Sequence, residues 1–123
     1  MSIAAAQAAI FYRDVARTRK LWTIRDAGGY PGPKNSRGAR AHPFWSSLSR
    51  VQRIIKNVAA YHGFEPVELT WDQFRTELLP RLQDLRMEIG INWSGKDAVG
   101  YDITIASLLE TMAWHFEHLE ASA

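Results

Sequence analysis

Apolar residues recur at helical spacing in three long segments of the chain. The first spans Ser2 to about Arg19, the second begins at Ser46 or Ser47, and the third covers about residues 104–119. In each segment the apolar positions are three or four residues apart, which places them on one face of a helix. We therefore predict three amphipathic helices that each pack one face against a core.

A fourth helix is predicted from a local capping pattern. Thr70 and Gln73 have the spacing of a capping box, in which each side chain bonds the backbone N–H of the other residue. Proline lacks a backbone N–H and clashes with the preceding turn. The helix that starts at Thr70 must therefore bend or stop before Pro80.

Strand-forming or alternating residues occupy five short segments, at residues 20–26, 40–45, 64–69, 86–93 and 99–103. The first two flank a Pro- and Gly-rich tract at 28–38 and are predicted to pair as a long-looped hairpin. The last two flank a turn at 94–97 and are predicted to form a second hairpin. In the fourth segment, strict alternation places Trp93 on the same face as Ile89 and Ile91.

The predicted order of elements is α-ββ-α-β-α-ββ-α. Strands that come in hairpins, with helices between them at irregular intervals, favour the α+β class. We therefore expect one domain over residues 1–123, with a four- to five-stranded, mostly antiparallel sheet and about four helices.

Charge is sorted along the chain. Residues 1–64 carry eleven Lys or Arg and two acids, a net charge of +9, whereas residues 65–123 carry four bases and eleven acids, a net charge of −7. The total of +2 hides this division. The electrostatic field of a surface with charges of one sign can recruit and orient a partner of opposite charge. The same division allows head-to-tail self-association or pairing within one molecule.

The composition narrows the class of protein further. The chain has no cysteine, which excludes disulfides, thiolate metal sites and cysteine nucleophiles. It has no basic leader before an apolar run and no apolar run of the roughly 18 residues that span a bilayer. We therefore expect a cytoplasmic protein with no membrane partner.

Candidate binding residues are the bases of the first half, the lysine of the predicted turn at 94–97, and two tryptophans beside strands. Lysine and arginine recognise phosphates or acidic surfaces. Exposed tryptophans beside such residues stack on the bases of nucleic acids. Packing is the commoner role for tryptophan. The predicted partner contacts are Arg13, Arg17, Lys34, Arg37, Arg40, Trp45, Arg50, Arg53, Lys56, Trp93 and Lys96.

No arrangement of residues points to catalysis. The tract at 28–38 matches neither phosphate-loop pattern. His115 and His118 share a helix face, but no third metal ligand accompanies them. We therefore expect a protein that is not an enzyme, with no catalytic residue, no metal and no cofactor.

Several short motifs also occur along the chain in the order typical of a known protein family. They are Trp22–Asp26, Gly28–Gly29, Pro43–Ser47, Phe64–Leu69, Phe74, Leu79–Pro80, Gly90–Lys96 and Gly100–Asp102. Together, over about residues 5–110, they resemble a bacterial family catalogued as domain of unknown function 2750. The resemblance implies a small cytoplasmic α+β protein with no established reaction. The arrangement is also remotely similar to the N-terminal domain of SseB-type enhanced serine sensitivity proteins and to some toxin-immunity folds.

These observations favour a bacterial binding module of the immunity or regulatory type, whose basic face docks an unknown acidic protein. The alternative is a nucleic-acid or nucleotide-phosphate binding protein that uses the same bases. A homodimer is left open. Within the family-like segments, the polar turn at 92–96 and the surroundings of Trp45 are where a site is expected.

Overall fold

The computed structural model describes residues 2–119 and confirms the predicted order of elements. The strands are β1 (Lys20–Arg25), β2 (Ala41–Phe44), β3 (Glu65–Thr70), β4 (Glu88–Ser94) and β5 (Val99–Ile103). The helices are α1 (Ile3–Thr18), α2 (Leu48–Asn57), α3 (Trp71–Gln73), α4 (Leu79–Asp84) and α5 (Ile105–Glu117). A 3₁₀ turn (Ala59–Tyr61) follows α2, and a π-helical turn (Phe74–Leu78) joins α3 to α4, so the described residues contain four helical segments.

Side-chain caps begin all four helical segments. Ser2, Ser47 and Thr104 each accept a hydrogen bond from the backbone N–H three residues further on. Thr70 and Gln73 form the complete capping box, with both hydrogen bonds present. These caps satisfy backbone donors that a helix leaves unpaired at its start. No helix within residues 2–119 combines the length and the apolar character that a bilayer crossing requires.

The π-helical turn explains how the third helical segment passes Pro80. At this turn the N–H of Leu79 bonds the carbonyl of Phe74, five residues back. Pro80 follows directly, near the start of α4, where its missing N–H leaves no helical bond unmade. The helix therefore bends before the proline, as its sequence predicts, and continues to Asp84.

The five strands lie in two sheets rather than in the single sheet expected, although the α+β class is confirmed. One sheet pairs β1 with β3 antiparallel, and the other has the order β2-β4-β5, with β2 parallel and β5 antiparallel to β4. The hairpin predicted across the turn at 94–97 is therefore confirmed.

The hairpin predicted between the first two strands is wrong. Between these two described segments, the backbones pair only at Trp22 and at Trp45, directly after β2, which exchange two hydrogen bonds of 2.8 Å. All six residues of β1 instead have register partners on β3. The four-residue β2 could satisfy fewer backbone groups of β1 than β3 does, which is a physical reason for the distant pairing.

A bulge in β4 also overturns the predicted alternation at Trp93. The register shifts between Ile91 and Ser94, and Asn92 has a φ of +43°. Asparagine tolerates this left-handed backbone better than most residues. The bulge turns the indole of Trp93 onto Gly90, away from the face of Ile91.

The buried apolar residues form two clusters. The larger contains Phe11, Phe44, Phe74 and Ile91 and joins α1 to both sheets and the third helical segment. The smaller lies beneath α2 and contains Trp45, Val51, Ile54 and Trp93. β4 thus contributes to both clusters, and Trp93 belongs to the one that α2 covers.

Candidate functional site

The fold mixes the two charged halves of the sequence at its sheets. β1 comes from the basic half and β3 from the acidic half, and the same holds for β2 and β4. Two ion pairs form across this division within residues 2–119: Lys20 Nζ lies 3.4 Å from Glu68, and Arg37 Nη2 lies 2.6 Å from Glu88. The basic and acidic halves of the sequence therefore contact each other at both sheets.

Arg37 belongs to a long connection between β1 and β2, residues 27–40, which we call the strap. Its guanidinium bonds both carboxylate oxygens of Glu88, at 3.1 and 2.6 Å. The Glu88 side chain is only 15% exposed. The hydrogen bonds and charge of Arg37 lower the pKa of Glu88, and the same contacts raise the pKa of Arg37.

Asn35 completes the attachment of the strap. Its Nδ2 donates to Glu88 at 3.1 Å and to Asp102 at 3.0 Å, while its Oδ1 accepts from the backbone N–H groups of residues 37 and 39. Asp102 also accepts a 2.9 Å bond from Nε1 of Trp93. Sequence spacing gave no sign of this network, because its members come from segments more than 50 residues apart.

A groove of about 610 Å³ runs between the strap and β5. Lys34 and Arg37 face Asp97 and Asp102 across it, so its charges are mixed. Arg40, another base of the strap, donates to the carbonyl of Gly32 at 2.8 Å. Of the predicted bases of the strap, Arg37 thus pairs with an acid, Arg40 makes a local hydrogen bond, and Lys34 lines the groove of mixed charge.

A second, smaller depression has a different character. It lies between α2 and the turn after β4 and has a volume of about 280 Å³. We call it the basic cleft, and its lining residues are Arg50, Arg53, Ile54, Asn57, Trp93, Ser94, Gly95 and Lys96. The lining contains three cations and no carboxylate.

Helical spacing and the bulge together build this cleft. Residues 50, 53, 54 and 57 lie on one side of α2, with Ile54 buried beneath the two arginines. The indole of Trp93 fits between Gly90 and Gly100, where a Cβ on either glycine would crowd it. Lys96 follows Trp93 in the next turn and lines the same depression as Arg53.

A hydrogen bond to Gln7, which is itself part of a partly buried network, restrains Arg50. Its guanidinium donates to the side-chain oxygen of Gln7 on α1. The Asn92 amide donates to the backbone carbonyl of Gln7 at 3.1 Å and accepts from the N–H of Ser46 at 2.9 Å. Ser46 in turn donates to Asp14 at 2.8 Å. The polar Asn92, between apolar strand residues, is the one sequence signal that could have revealed this network.

The tryptophans predicted as partner contacts are interior residues. Trp45 is 1% exposed and donates through Nε1 to the carbonyl of Trp93 at 2.9 Å. Trp93 is 6% exposed. Burial leaves Trp45 no ring face for a partner, which corrects its assignment as a contact residue. Trp93 reaches the surface as part of the walls of the groove and of the cleft.

The remaining predicted bases are dispersed. Arg13 and Arg17 are exposed on α1, and Arg13 lies near His115 of α5, whose pKa is lowered by burial and by neighbouring positive charge. Lys56 is exposed near the end of α2. Of the predicted contacts, the structure brings Arg50, Arg53, Lys96 and the edge of Trp93 together in one cleft.

His42 is the most strongly perturbed titratable residue of this region. It is buried, stacks on Phe44 and lies 2.9 Å from Oγ1 of Thr23. Thr23 donates its own proton to the carbonyl of Pro43, so Nε2 of His42 carries the hydrogen of the shared bond. Burial, with the charge of Arg81, lowers the pKa of His42 to about 4.

Metal ligands are not grouped in the described part of the chain. Within residues 2–119, no three His, Cys, Asp or Glu side chains are placed to hold an ion. His115 packs against the ring of Tyr12, with centroids 5.5 Å apart, and His118 stacks on Trp114.

The described residues form a small α+β protein in which Arg50, Arg53 and Lys96 line one cleft. The family model described as "Protein of unknown function (DUF2750)" matches residues 8–112. The chain therefore belongs to the DUF2750 family, as its motifs indicate. No curated protein and no solved structure matches the chain. The remote similarity to SseB-type proteins stays a prediction.

Proposed function

We propose that this protein is a non-enzymatic binding module that docks an acidic segment of another protein at the basic cleft. The observation that carries the proposal is the convergence of Arg50, Arg53 and Lys96 on one depression that no carboxylate lines. Lys56 extends the positive surface along α2. Such a module suits an immunity-type or regulatory role in bacteria, in which a partner is held and released without chemistry.

The uncompensated charge supports this role. Within residues 2–119, no cation of the cleft takes part in an ion pair, whereas Arg37 of the strap does. Like charges brought together without acids repel each other and do not stabilise the fold. They do steer an acidic partner and orient it on arrival.

Nucleic-acid or nucleotide-phosphate binding remains the second candidate, because the same cations attract phosphates. The burial of Trp45 and Trp93 weighs against it. Sequence-tolerant binding of single strands depends on aromatic faces that stack on bases, and these two rings have none to offer.

Fluorescence anisotropy with two labelled probes tests the proposal. One probe is an Asp/Glu-rich peptide and the other is an oligonucleotide, used single-stranded and as a duplex. We expect the full chain to bind the peptide at low salt and to lose it as salt rises. Arg53→Gln and Lys96→Gln should each weaken binding, whereas Arg75→Gln, which removes the same charge outside the cleft, should not.

Two results would contradict the proposal. Equal weakening by Arg75→Gln would show that net charge alone drives binding. Binding of the oligonucleotide in preference to the peptide, with loss in the cleft variants, would favour the second candidate.

A further inference from the structure

We infer that the group which anchors the partner in the basic cleft is the phosphoryl group of a phosphorylated serine or threonine. This inference rests on the proposed function and names the class of its partner. A phosphoryl group on a side chain carries about −1.5 to −2 charges at neutral pH, and its oxygens are strong acceptors. The cleft offers three cations within a single depression of about 280 Å³.

The donors of the cleft outnumber what one carboxylate can use. A carboxylate has one negative charge and about four acceptor sites on its two oxygens, and one arginine fork occupies two of these sites. Here two guanidinium groups and one ammonium line the same space, and Ser94 and Asn57 add a hydroxyl and an amide. A phosphoryl dianion balances most of the charge of three cations and can accept from several of these donors at once.

The size of the cleft is compatible with a small anionic group. Pockets that enclose small molecules have volumes of about 300–1,000 Å³. The cleft, at about 280 Å³, lies at the lower limit of that range. This size favours a head group presented by a chain that itself remains outside.

Two features prepare the cleft for a dianion. Gln7 accepts from one arm of the Arg50 guanidinium, which restrains that side chain and leaves its other N–H groups for a ligand. Ile54 and Trp93 supply an apolar floor beneath the cations. An apolar floor strengthens ionic attraction, because it lowers the local dielectric constant.

The test compares three labelled peptides with one acidic sequence. They carry phosphoserine, glutamate or serine at the central position and are titrated with the full chain at the same low salt as the acidic peptide above. We expect the phosphoserine peptide to bind about tenfold more tightly than the glutamate peptide, a difference of about 1.4 kcal/mol. Inorganic phosphate should compete with it. Arg53→Gln and Lys96→Gln should remove this preference, whereas Arg75→Gln should retain it.

The outcomes separate this inference from the proposal beneath it. Equal affinity for the phosphoserine and glutamate peptides would overturn the phosphoryl assignment and leave the acidic-partner function standing. Failure to bind any of the three peptides would overturn both. A retained preference in both cleft variants would place the phosphoryl group elsewhere on the surface and overturn the assignment. Tighter binding of adenosine monophosphate than of the phosphoserine peptide would do the same, because it would make a free nucleotide the ligand.

Discussion

The strap and the basic cleft are both rich in predicted cations, yet the fold treats their charges differently. In the strap, Arg37 pairs with Glu88, and Asn35 links Glu88 to Asp102. In the cleft, Arg53 and Lys96 line one depression with no acid in the lining. The strap bases therefore serve the structure, and the cleft bases are available to a ligand.

Topology causes this difference. The strap leads into β2, which pairs with β4 from the acidic half of the chain, so carboxylates of the second half come to lie beneath it. α2 instead covers its own cluster with an apolar stripe and turns its charged side outward. A run of bases in a sequence thus becomes a binding surface only where the fold brings no acids beside it.

Acid should lower the stability of the fold through His42, which contacts the strap. This is the largest change in stability that we expect. The ring of Tyr30, from the strap, lies on His42, with centroids 5.1 Å apart. Between pH 6.5 and 4 the unfolded chain binds a proton at this histidine that the folded chain refuses, so stability falls as the pH falls. The full loss is about 3 kcal/mol, of which about 2 kcal/mol falls between pH 7 and pH 5.

Urea denaturation at these two pH values measures the loss. His42→Asn should reduce the difference between them, whereas His62→Asn, at an exposed position, should leave it unchanged. The lowered pKa of His115 contributes in the same direction, so a smaller slope remains in the His42 variant. An unchanged slope in His42→Asn would show that this histidine is not kept neutral by folding.

Gly90→Ala should damage both regions at once, because Trp93 forms part of the wall of each. A Cβ at position 90 would overlap the indole, which is rigid and enclosed. Overpacking of this kind costs about 2 kcal/mol. In the control Gly32→Ala, the new Cβ meets the methyl group of Met87 at 2.6 Å, and a flexible side chain can move aside. Equal urea midpoints for the two variants would contradict this assignment.

Local signals in the sequence predicted most of the fold. The capping box at Thr70, the apolar stripe of α2 and the turn before β5 each depend on residues close together in the chain. These features are set by local geometry, so spacing reveals them. The class, the order of elements and the second hairpin could therefore be predicted.

Features that depend on distant contacts could not be predicted. The pairing of β1 with β3 joins segments about 40 to 50 residues apart, against a nearer candidate in β2. The face of Trp93 depends on a left-handed backbone at Asn92, which alternation cannot show. For the site, the sequence identifies the cations but does not show which of them an acid neutralises. The partner of Arg37, for example, lies 51 residues away.

Glu88→Gln should release the strap. Loss of the carboxylate charge weakens the bonds from Arg37 and Asn35, and we expect a cost of about 1 kcal/mol, because solvent screens the exposed guanidinium. Tryptic cleavage within the strap should then be about fivefold faster, since 1 kcal/mol changes an opening equilibrium by that factor. Glu68→Gln, which breaks the exposed pair with Lys20, should alter neither property. Equal cleavage rates in both variants would show that the pair does not hold the strap.

Arg53→Gln should have the smallest effect on stability. This variant therefore separates most clearly the cations of the cleft from the paired Arg37 of the strap. The guanidinium makes no ion pair within residues 2–119 and shares its cleft with Arg50 and Lys96. Its removal relieves repulsion, so the free energy of unfolding should stay constant or rise by about 0.5 kcal/mol at low salt, and the rise should vanish at high salt. Urea denaturation at two salt concentrations measures this. A clear loss of stability would assign Arg53 a structural role like that of Arg37, and the cleft would no longer be a surface reserved for a partner.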